Sequence, residues 1–139
     1  IFQNNLLPVK ISFSKNSDDL SIIVLADQKK IQWVINQLIE NAIKFSKGES
    51  IIKINLDNQP EYVKISIQDN GIGIPQNKLT EIFEPFHQLD GSSTRKAGGV
   101  GLGLALAKKI IEAHGSKLIV KSHPGEGSIF SFSLPKGKL

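Results

Sequence analysis

A glycine-rich run in the C-terminal half constrains this chain more than any other stretch. Residues 98–104 read GGVGLGL, with four glycines in six positions. Such a run cannot be a packed strand, because glycine loses more backbone entropy than other residues and brings no side chain to pack. Apolar residues then recur at helical spacing as far as His114. Since the first N–H groups of a helix are unpaired and carry the positive end of its dipole, the run predicts an anion site, such as a phosphate site. A loop hinge is the alternative.

Two well-known phosphate-binding motifs do not fit this run. A P-loop requires Lys and then Ser or Thr after its last glycine, whereas Leu104 and Ala105 follow Gly103. The dinucleotide fingerprint GxGxxG, started at Gly99, requires a glycine where Leu104 stands. A nucleotide site in this chain is therefore of another kind.

Composition is that of an ordinary globular domain. The 139 residues are enough for one domain, 40% of them are hydrophobic, and 17 Lys and Arg against 13 Asp and Glu leave a net charge of +4. The basic residues form no long run, which argues against a nucleic-acid-binding stripe. The chain has no cysteine, so disulfides and thiol chemistry are excluded, and no apolar run approaches the roughly 18 residues of a membrane span. Because it begins with Ile1 and contains no methionine, we expect a piece of a longer protein.

Hydrophobic periodicity predicts strands and helices in alternation. Period-two or continuously apolar segments predict strands over residues 9–13, 21–26, 50–56, 62–69, 116–120 and 128–134. Helical spacing predicts a long helix from the N-cap Asp27 to Lys47-Gly48, a short helix from Pro75, and a helix over residues 105–114 that ends at Gly115. Residues 1–8 are interpreted as the end of an upstream linker.

Three polar residues lie on one line of the long helix. Gln37, Asn41 and Lys44 are spaced four and three residues apart beside the apolar stripe. Two amides and an ammonium in a row suit a metal ion and phosphates. The alternative is a solvated flank with a Glu40–Lys44 ion pair.

Two polar residues fall on apolar strand faces. Period two puts Asp69 on the same face as Val63 and Ile67, and it puts Ser128 on the face of Phe130. A carboxylate there is costly unless it is hydrogen-bonded, which points to a binding role. The alternative for Asp69 is a plain Asp-Asn-Gly turn.

A long polar loop precedes the glycine run. Residues 88–97 are mostly small and polar, and with the first two glycines they form a loop of the kind that is either disordered or an active-site lid. Arg95 and Lys96 are the cations it carries, and Pro85 ends any helix before it.

Taken together, these residues resemble the ATP-binding catalytic domain of bacterial two-component histidine kinases. This domain belongs to the Bergerat-type superfamily, with gyrase, the ninety-kilodalton heat-shock chaperone and mismatch-repair ATPases. The family's four boxes appear in order as NQLIENAIKFS (36–46), DNGIGIP (69–75), IFEPF (82–86) and GGVGLGL (98–104). The resemblance spans about Val9 to Pro135. With the periodicity, it predicts an α/β two-layer sandwich: a mixed, mainly antiparallel sheet of five or six strands with three main helices on one face.

The resemblance also implies residue roles. Asp69 would accept the exocyclic amine of adenine, helped by a water that Ser128 holds, while Asn41 would ligate Mg²⁺ through its amide oxygen. A lid over residues 84–99 would close over the phosphates. The predicted catalytic residues are Asn41, Lys44 and Arg95. The predicted nucleotide-binding residues are Asn41, Lys44, Asp69, Gly71, Gly73, Ile74, Phe86, Lys96, Gly99, Val100, Gly101, Leu102, Gly103, Leu104 and Ser128.

One position departs from the family pattern. Gln37 stands where the family commonly has Asn, which makes it only a possible second Mg²⁺ ligand. In the hydrolysing relatives this position is a Glu that activates water, and Gln37 cannot be that base. The sequence therefore favours transfer of phosphate to a protein over ATP hydrolysis.

The predicted function is donation of the ATP γ-phosphate to a histidine on an upstream helical dimerisation domain. That histidine is absent here, because His87, His114 and His123 lack its context and the last two are interpreted as surface or turn residues. The fragment alone is thus expected not to autophosphorylate. Expected partners are the dimerisation domain and a response regulator, without nucleic acid or membrane contact by this piece. The full-length protein is expected to be a homodimer, and this piece is expected in the cytoplasm, either free or as the cytoplasmic part of a membrane sensor. The alternatives are a nucleotide-binding pseudokinase, which Gln37 alone supports, and an anti-sigma-type serine kinase, against which the IFEPF and GLGL motifs argue.

Overall fold

The alternation of strands and helices predicted from periodicity is present in the folded chain. The computed structural model describes residues 9–18, 22–46, 48–84 and 103–137. Its elements are β1 (Val9–Lys15), α1 (Gln28–Lys44), β2 (Ser50–Asn58), β3 (Tyr62–Asp69), two 3-10 turns (Gln76–Lys78 and Glu81–Phe83), α2 (Gly103–Ala113), β4 (Ile119–His123) and β5 (Gly127–Pro135).

Within these described residues the strands form one mixed, five-stranded sheet. The strand order is β1-β2-β3-β5-β4. β1 runs parallel to β2, and the other three neighbouring pairs are antiparallel. The predicted α/β fold, a mixed and mainly antiparallel sheet of five strands with helices packed on it, is confirmed. Of the three predicted helices, the short one from Pro75 takes the form of the two 3-10 turns.

The core lies between one sheet face and the helices. Alternate residues of β2, β3 and β5 point into it, since period two sends every second side chain to the same face. The apolar stripe of α1 and the buried face of α2 cover them. The central buried residues are Val34, Leu38, Ile52, Val63, Ile67, Ala107, Ile111, Phe132 and Leu134.

Caps and turn contacts fix α1 at both ends. Asp27 is the N-cap, and its side chain accepts a hydrogen bond from the Lys30 N–H at 3.1 Å. At the other end the Phe45 carbonyl accepts the Ile72 N–H at 3.0 Å. The last turn of α1 is therefore tied to the segment that follows β3.

His114 lies in the turn after α2, as the sequence interpretation allowed, and it also connects the two helices. The backbone N–H of Asp27 donates to His114 Nε2 at 3.0 Å, and His114 Nδ1 lies 2.8 Å from the Ile110 carbonyl. An N–H can only donate and a carbonyl can only accept, so Nδ1 carries the ring proton. The end of α2 is thus bonded to the start of α1.

Two predicted strands differ from those observed. Of the predicted strand at 21–26, the described residues 22–26 make only a single bridge, between Val24 and Lys136. The side chains of Ile22 and Val24 pack against the core, although their backbone does not belong to a strand. β4 starts three residues later than predicted, because the Ser116 hydroxyl accepts the Ser133 N–H at 3.2 Å before the ladder begins.

No helix among the described residues is both long and apolar enough to cross a membrane.

Candidate nucleotide-binding site

Asp69 is a buried carboxylate at the end of β3. Its relative exposure is 9%, on the same face as the core residues of that strand. One oxygen, Oδ1, accepts two backbone N–H groups, from Gly71 at 2.8 Å and from Ser128 at 3.2 Å. No donor among the described residues reaches the other oxygen, Oδ2. The carboxylate is therefore held in place through one oxygen, while the other is left to receive a donor from outside the described protein.

Burial sets the proton affinity of this group. Removal from water raises the pKa of Asp69 above its ordinary value, and the N–H groups of Gly71 and Ser128 lower it by less. The ionised form is consequently incompletely compensated in the folded protein. A further donor at Oδ2 would stabilise the ionised carboxylate.

Glycines after Asp69 fit against other parts of the chain. A side chain at Gly71 would meet the Phe45 carbonyl, and one at Gly73 would meet the His123 carbonyl. Gly73 also has a φ of +76°, which side-chain-bearing residues rarely adopt. The close approaches that require glycine here involve the protein's own backbone.

Ser122, which the sequence analysis did not single out, joins this cluster from β4. It is 3% exposed, and its hydroxyl oxygen accepts the Ile74 N–H at 2.7 Å. The same hydroxyl donates to the Gly127 carbonyl at 2.9 Å and lies 2.8 Å from the hydroxyl of Ser128, itself 6% exposed. Period two across Leu118 and Val120 would have indicated Ser122, had the predicted strand not stopped at Val120.

The polar line on α1 extends from the segment after β3 to the start of α2. Phe45 contacts Ile72 at one end, and at the other a side chain on Gly103 would meet the carboxamide oxygen of Gln37. A helix rises about 12 Å from residue 37 to residue 45, so Asn41 lies between the two ends. Asn41 is half-buried and Lys44 is exposed.

Part of the predicted site lies outside the described residues. This holds for the predicted lid beyond Glu84 and for the residues Phe86, Arg95, Lys96, Gly99, Val100, Gly101 and Leu102. Of the predicted glycine-run residues, Gly103 begins α2 and Leu104 packs against the core. Ile74 is buried, and its N–H is the one that Ser122 accepts.

The donor set suits a hard cation shared with phosphates better than a dedicated metal site. No group of three or more His, Cys, Asp or Glu in the described part of the chain could hold a metal ion. Mg²⁺ usually keeps several waters and takes only one or two protein oxygens together with substrate phosphates. The amide oxygen of Asn41, one helical turn along α1 from Gln37, fits that requirement.

Comparisons with known proteins identify the family of the chain. Residues 26–138 match the family described as histidine kinase-, DNA gyrase B- and HSP90-like ATPase. The sensor histidine kinase WalK of Bacillus subtilis is 39% identical over 127 residues, which is 90% of this chain and 21% of that protein. A Staphylococcus aureus WalK is 38% identical over 126 residues, 89% of this chain and 30% of that one. The chain thus spans less than a third of the length of these curated relatives.

Solved structures match over most of the chain. The nucleotide-free catalytic domain of histidine kinase ThkA superposes with a TM-score of 0.75 at 31% identity, over 92% of this chain and 80% of that domain. Full-length ShkA in complex with AMPPNP gives a TM-score of 0.79 at 26% identity, over 94% of this chain and 26% of ShkA. The chain therefore belongs to the histidine kinase-, DNA gyrase B- and HSP90-like ATPases, and within them to the ATP-binding catalytic domains of sensor histidine kinases.

Proposed function

We propose that this domain binds Mg-ATP with adenine at Asp69 and donates the γ-phosphate to a histidine of a helical dimerisation domain. The observation that carries the proposal is the asymmetric use of the Asp69 carboxylate. Oδ1 is occupied by backbone N–H groups, so Oδ2 is available for the exocyclic amine of adenine. Guanine presents a carbonyl at that position, and two acceptors facing each other would repel. The pocket should therefore select adenine.

The triphosphate would lie along α1 toward the start of α2. The N-terminus of α2 at Gly103 supplies unpaired N–H groups and the positive end of the helix dipole. Asn41 would ligate Mg²⁺, and Lys44 would meet a phosphate oxygen. Bound Mg²⁺ supplies charge neutralisation of the phosphates. Contacts from Arg95, Lys96 and the earlier glycines remain predictions.

The reaction proposed is transfer of the γ-phosphoryl group to an imidazole nitrogen. The bond from the γ-phosphorus to the bridging oxygen breaks, a phosphorus–nitrogen bond forms, and ADP leaves with the negative charge. Such transfers depend on positioning and charge stabilisation more than on covalent help from the protein. Gln37 has no carboxylate to deprotonate water, and Glu40 is exposed on another side of α1. Transfer to a protein is thus favoured over hydrolysis.

The partners proposed follow from the relatives. One ThkA structure contains the response regulator TrrA, so we include a response regulator as a partner of the whole protein. We also propose a homodimer in the cytoplasm for the whole protein, because the resemblance to two-component histidine kinases implies it. The relatives named above carry the name of histidine kinases, which favours this function over a pseudokinase or an anti-sigma-type serine kinase.

Labelling in trans tests the proposal. The domain is mixed with the dimerisation domain of the same protein and ATP labelled at the γ-phosphate, and the product is treated with acid. We expect acid-labile label on the dimerisation domain and none on this chain alone. Asn41→Asp should reduce labelling by roughly 100-fold, since a changed ligand at Mg²⁺ misplaces the phosphates. Glu40→Gln, one residue away and exposed, is the matched control and should label normally.

Other outcomes point to other functions. Acid-stable label would indicate a serine kinase. ATP binding without labelling of the correct partner would indicate a pseudokinase.

A further inference from the structure

We propose that Ser122 is a positioning residue that sets the base specificity of the site by holding the Ser128 hydroxyl as a hydrogen-bond acceptor. Nothing in the sequence motifs assigns Ser122 a role, and it lies on β4, outside the four boxes. The proposal rests on the proposed binding of adenine at Asp69. It concerns how that end of the pocket rejects other bases.

Ser122 connects three separate segments through one hydroxyl group. Its oxygen accepts the N–H of Ile74, which belongs to the DNGIGIP motif. It donates to the carbonyl of Gly127, in the turn before β5. It also contacts the hydroxyl of Ser128, whose own N–H donates to Asp69 Oδ1. The backbone carbonyl of Ser122 also accepts a hydrogen bond from the side-chain amide of Gln76 at 2.6 Å. This bond further ties β4 to the segment that follows the DNGIGIP motif.

Counting protons fixes the direction of the contact between the two serines. A hydroxyl has one proton to donate and two lone pairs to accept with. The Gly127 carbonyl can only accept, so the Ser122 hydroxyl donates its one hydrogen bond to that carbonyl. The Ile74 N–H donates to one of the two lone pairs of Ser122. The remaining lone pair can only receive the proton of Ser128. The Ser128 hydroxyl, with its proton committed, can offer only lone pairs to any other group.

The consequence is a pocket end that presents acceptors alone. Asp69 Oδ2 and the Ser128 hydroxyl oxygen belong to residues that are joined by the hydrogen bond from the Ser128 backbone N–H to Asp69 Oδ1. An exocyclic amine, directly or through a water, can donate to both. A carbonyl in that position, as in inosine triphosphate, finds no donor. Without the Ser122 hydroxyl, Ser128 could rotate and donate, and the carbonyl would be tolerated.

The test compares ATP with inosine triphosphate for the wild type and for Ser122→Ala. Affinities are measured by competition against a fluorescent ATP analogue, with folding checked by circular dichroism. Ser122→Ala should lower the preference for ATP over inosine triphosphate by about tenfold, the usual effect of one hydrogen bond. A purely structural role would weaken both nucleotides equally and leave the ratio unchanged, and that result would overturn the proposal.

Three further variants separate the possible outcomes. Ser131→Ala removes a buried serine hydroxyl from the opposite face of β5 and should leave the ratio unchanged. Ser122→Thr keeps the hydroxyl and should retain the preference. In a Ser128→Ala background, Ser122→Ala should not change the ratio further, and an undiminished change there would also refute the proposal. If the wild type binds neither nucleotide, the proposed function itself fails, whatever the variants do.

Discussion

The two sides of the site are built differently. The strand side consists of Asp69, Ile74, Ser122 and Ser128, all buried and connected by hydrogen bonds that involve backbone groups or each other. The helix side consists of Gln37, Asn41, Lys44 and Gly103, all of which are half-buried or exposed. Among the described residues, none makes a side-chain hydrogen bond to Asn41 or Lys44.

This difference matches what each side would bind. A base presents a fixed pattern of donors and acceptors, so its pocket gains selectivity from groups that are already held in place. Phosphates and Mg²⁺ carry charge that must stay solvated until they bind, and exposed polar side chains allow this. The strand side should therefore respond sharply to small changes, and the helix side should tolerate them.

The largest effect on the strand side is expected from Gly73→Ala. The new Cβ would collide with the His123 carbonyl at a φ of +76°, and neither backbone segment can move without breaking the Ser122 cluster. We expect a loss of about 3 kcal/mol in the free energy of unfolding, measured with urea.

Gly115→Ala is the matched control for that substitution. Gly115 has a φ of +78° and no atom within 4 Å of an added Cβ. It should lose only about 1 kcal/mol, the cost of the left-handed backbone alone. Equal losses for the two variants would mean that packing against the His123 carbonyl does not matter.

Asp69→Asn should separate binding from stability. An asparagine can still accept the N–H groups of Gly71 and Ser128, but it turns an NH₂ group toward the adenine amine. ATP affinity should fall by roughly 10- to 100-fold in calorimetry, the range for a charged hydrogen bond. The variant without nucleotide should unfold at higher urea, because the burial cost of the charge is gone. Unchanged ATP affinity would contradict the assignment of adenine to Asp69.

The pH dependence follows from the raised pKa of Asp69. Between its ordinary value of 3.8 and its higher value in the folded chain, the folded state binds more protons than the unfolded state. The contribution of Asp69 to stability is therefore most favourable at low pH and declines as pH rises through the folded pKa. The stability advantage of Asp69→Asn should grow over the same window, whereas ATP affinity of the wild type should rise. If the stability advantage of Asp69→Asn shrank as the pH rises, that would contradict a raised pKa of Asp69 in the folded chain.

On the helix side, Gly103→Ala should have a moderate effect. The added Cβ meets the end of the flexible Gln37 side chain rather than backbone, so the glutamine can move aside. Alanine gains up to about 1 kcal/mol in helix propensity over glycine, and the displaced Gln37 offsets part of this. In a Gln37→Ala background the full gain should appear, giving a coupling of about 0.5–1 kcal/mol in a double-mutant cycle of unfolding. Strict additivity would show that the two residues do not interact.

Away from both sides, a change at His114 should affect stability without affecting base preference. Its ring bonds the start of α1 to the end of α2, so His114→Ala should lose about 1 kcal/mol of stability. The ratio of affinities for ATP and inosine triphosphate should stay unchanged. His123→Ala, at an exposed position, should lie within about 0.5 kcal/mol of the wild type. A changed base preference in His114→Ala would mean that helix packing controls the strand side.

Local pattern alone was sufficient for much of the fold. The helical stripe after Asp27 and the alternation before Asp69 identify α1 and β3, because each follows from where successive side chains point along one element. The same alternation predicted that Asp69 and Ser128 are buried. The resemblance to the histidine kinase family, carried by four ordered motifs, is confirmed by the match over residues 26–138.

Tertiary structure alone decided which distant groups meet. The bond from Ile74 to Ser122 spans 48 positions, and the bond from Asp27 to His114 spans 87. No local periodicity encodes such pairings, since they arise when β4 aligns with β5 and when α2 packs on α1. For the same reason the continuously apolar residues 22–26, predicted as part of a strand, make only a single bridge. Ser122 was not identified from the sequence because the predicted strand ended at Val120, whereas β4 continues to His123. The sequence by itself determined which residues are buried on each element. The packing of those elements determined which buried polar groups are hydrogen-bonded to one another.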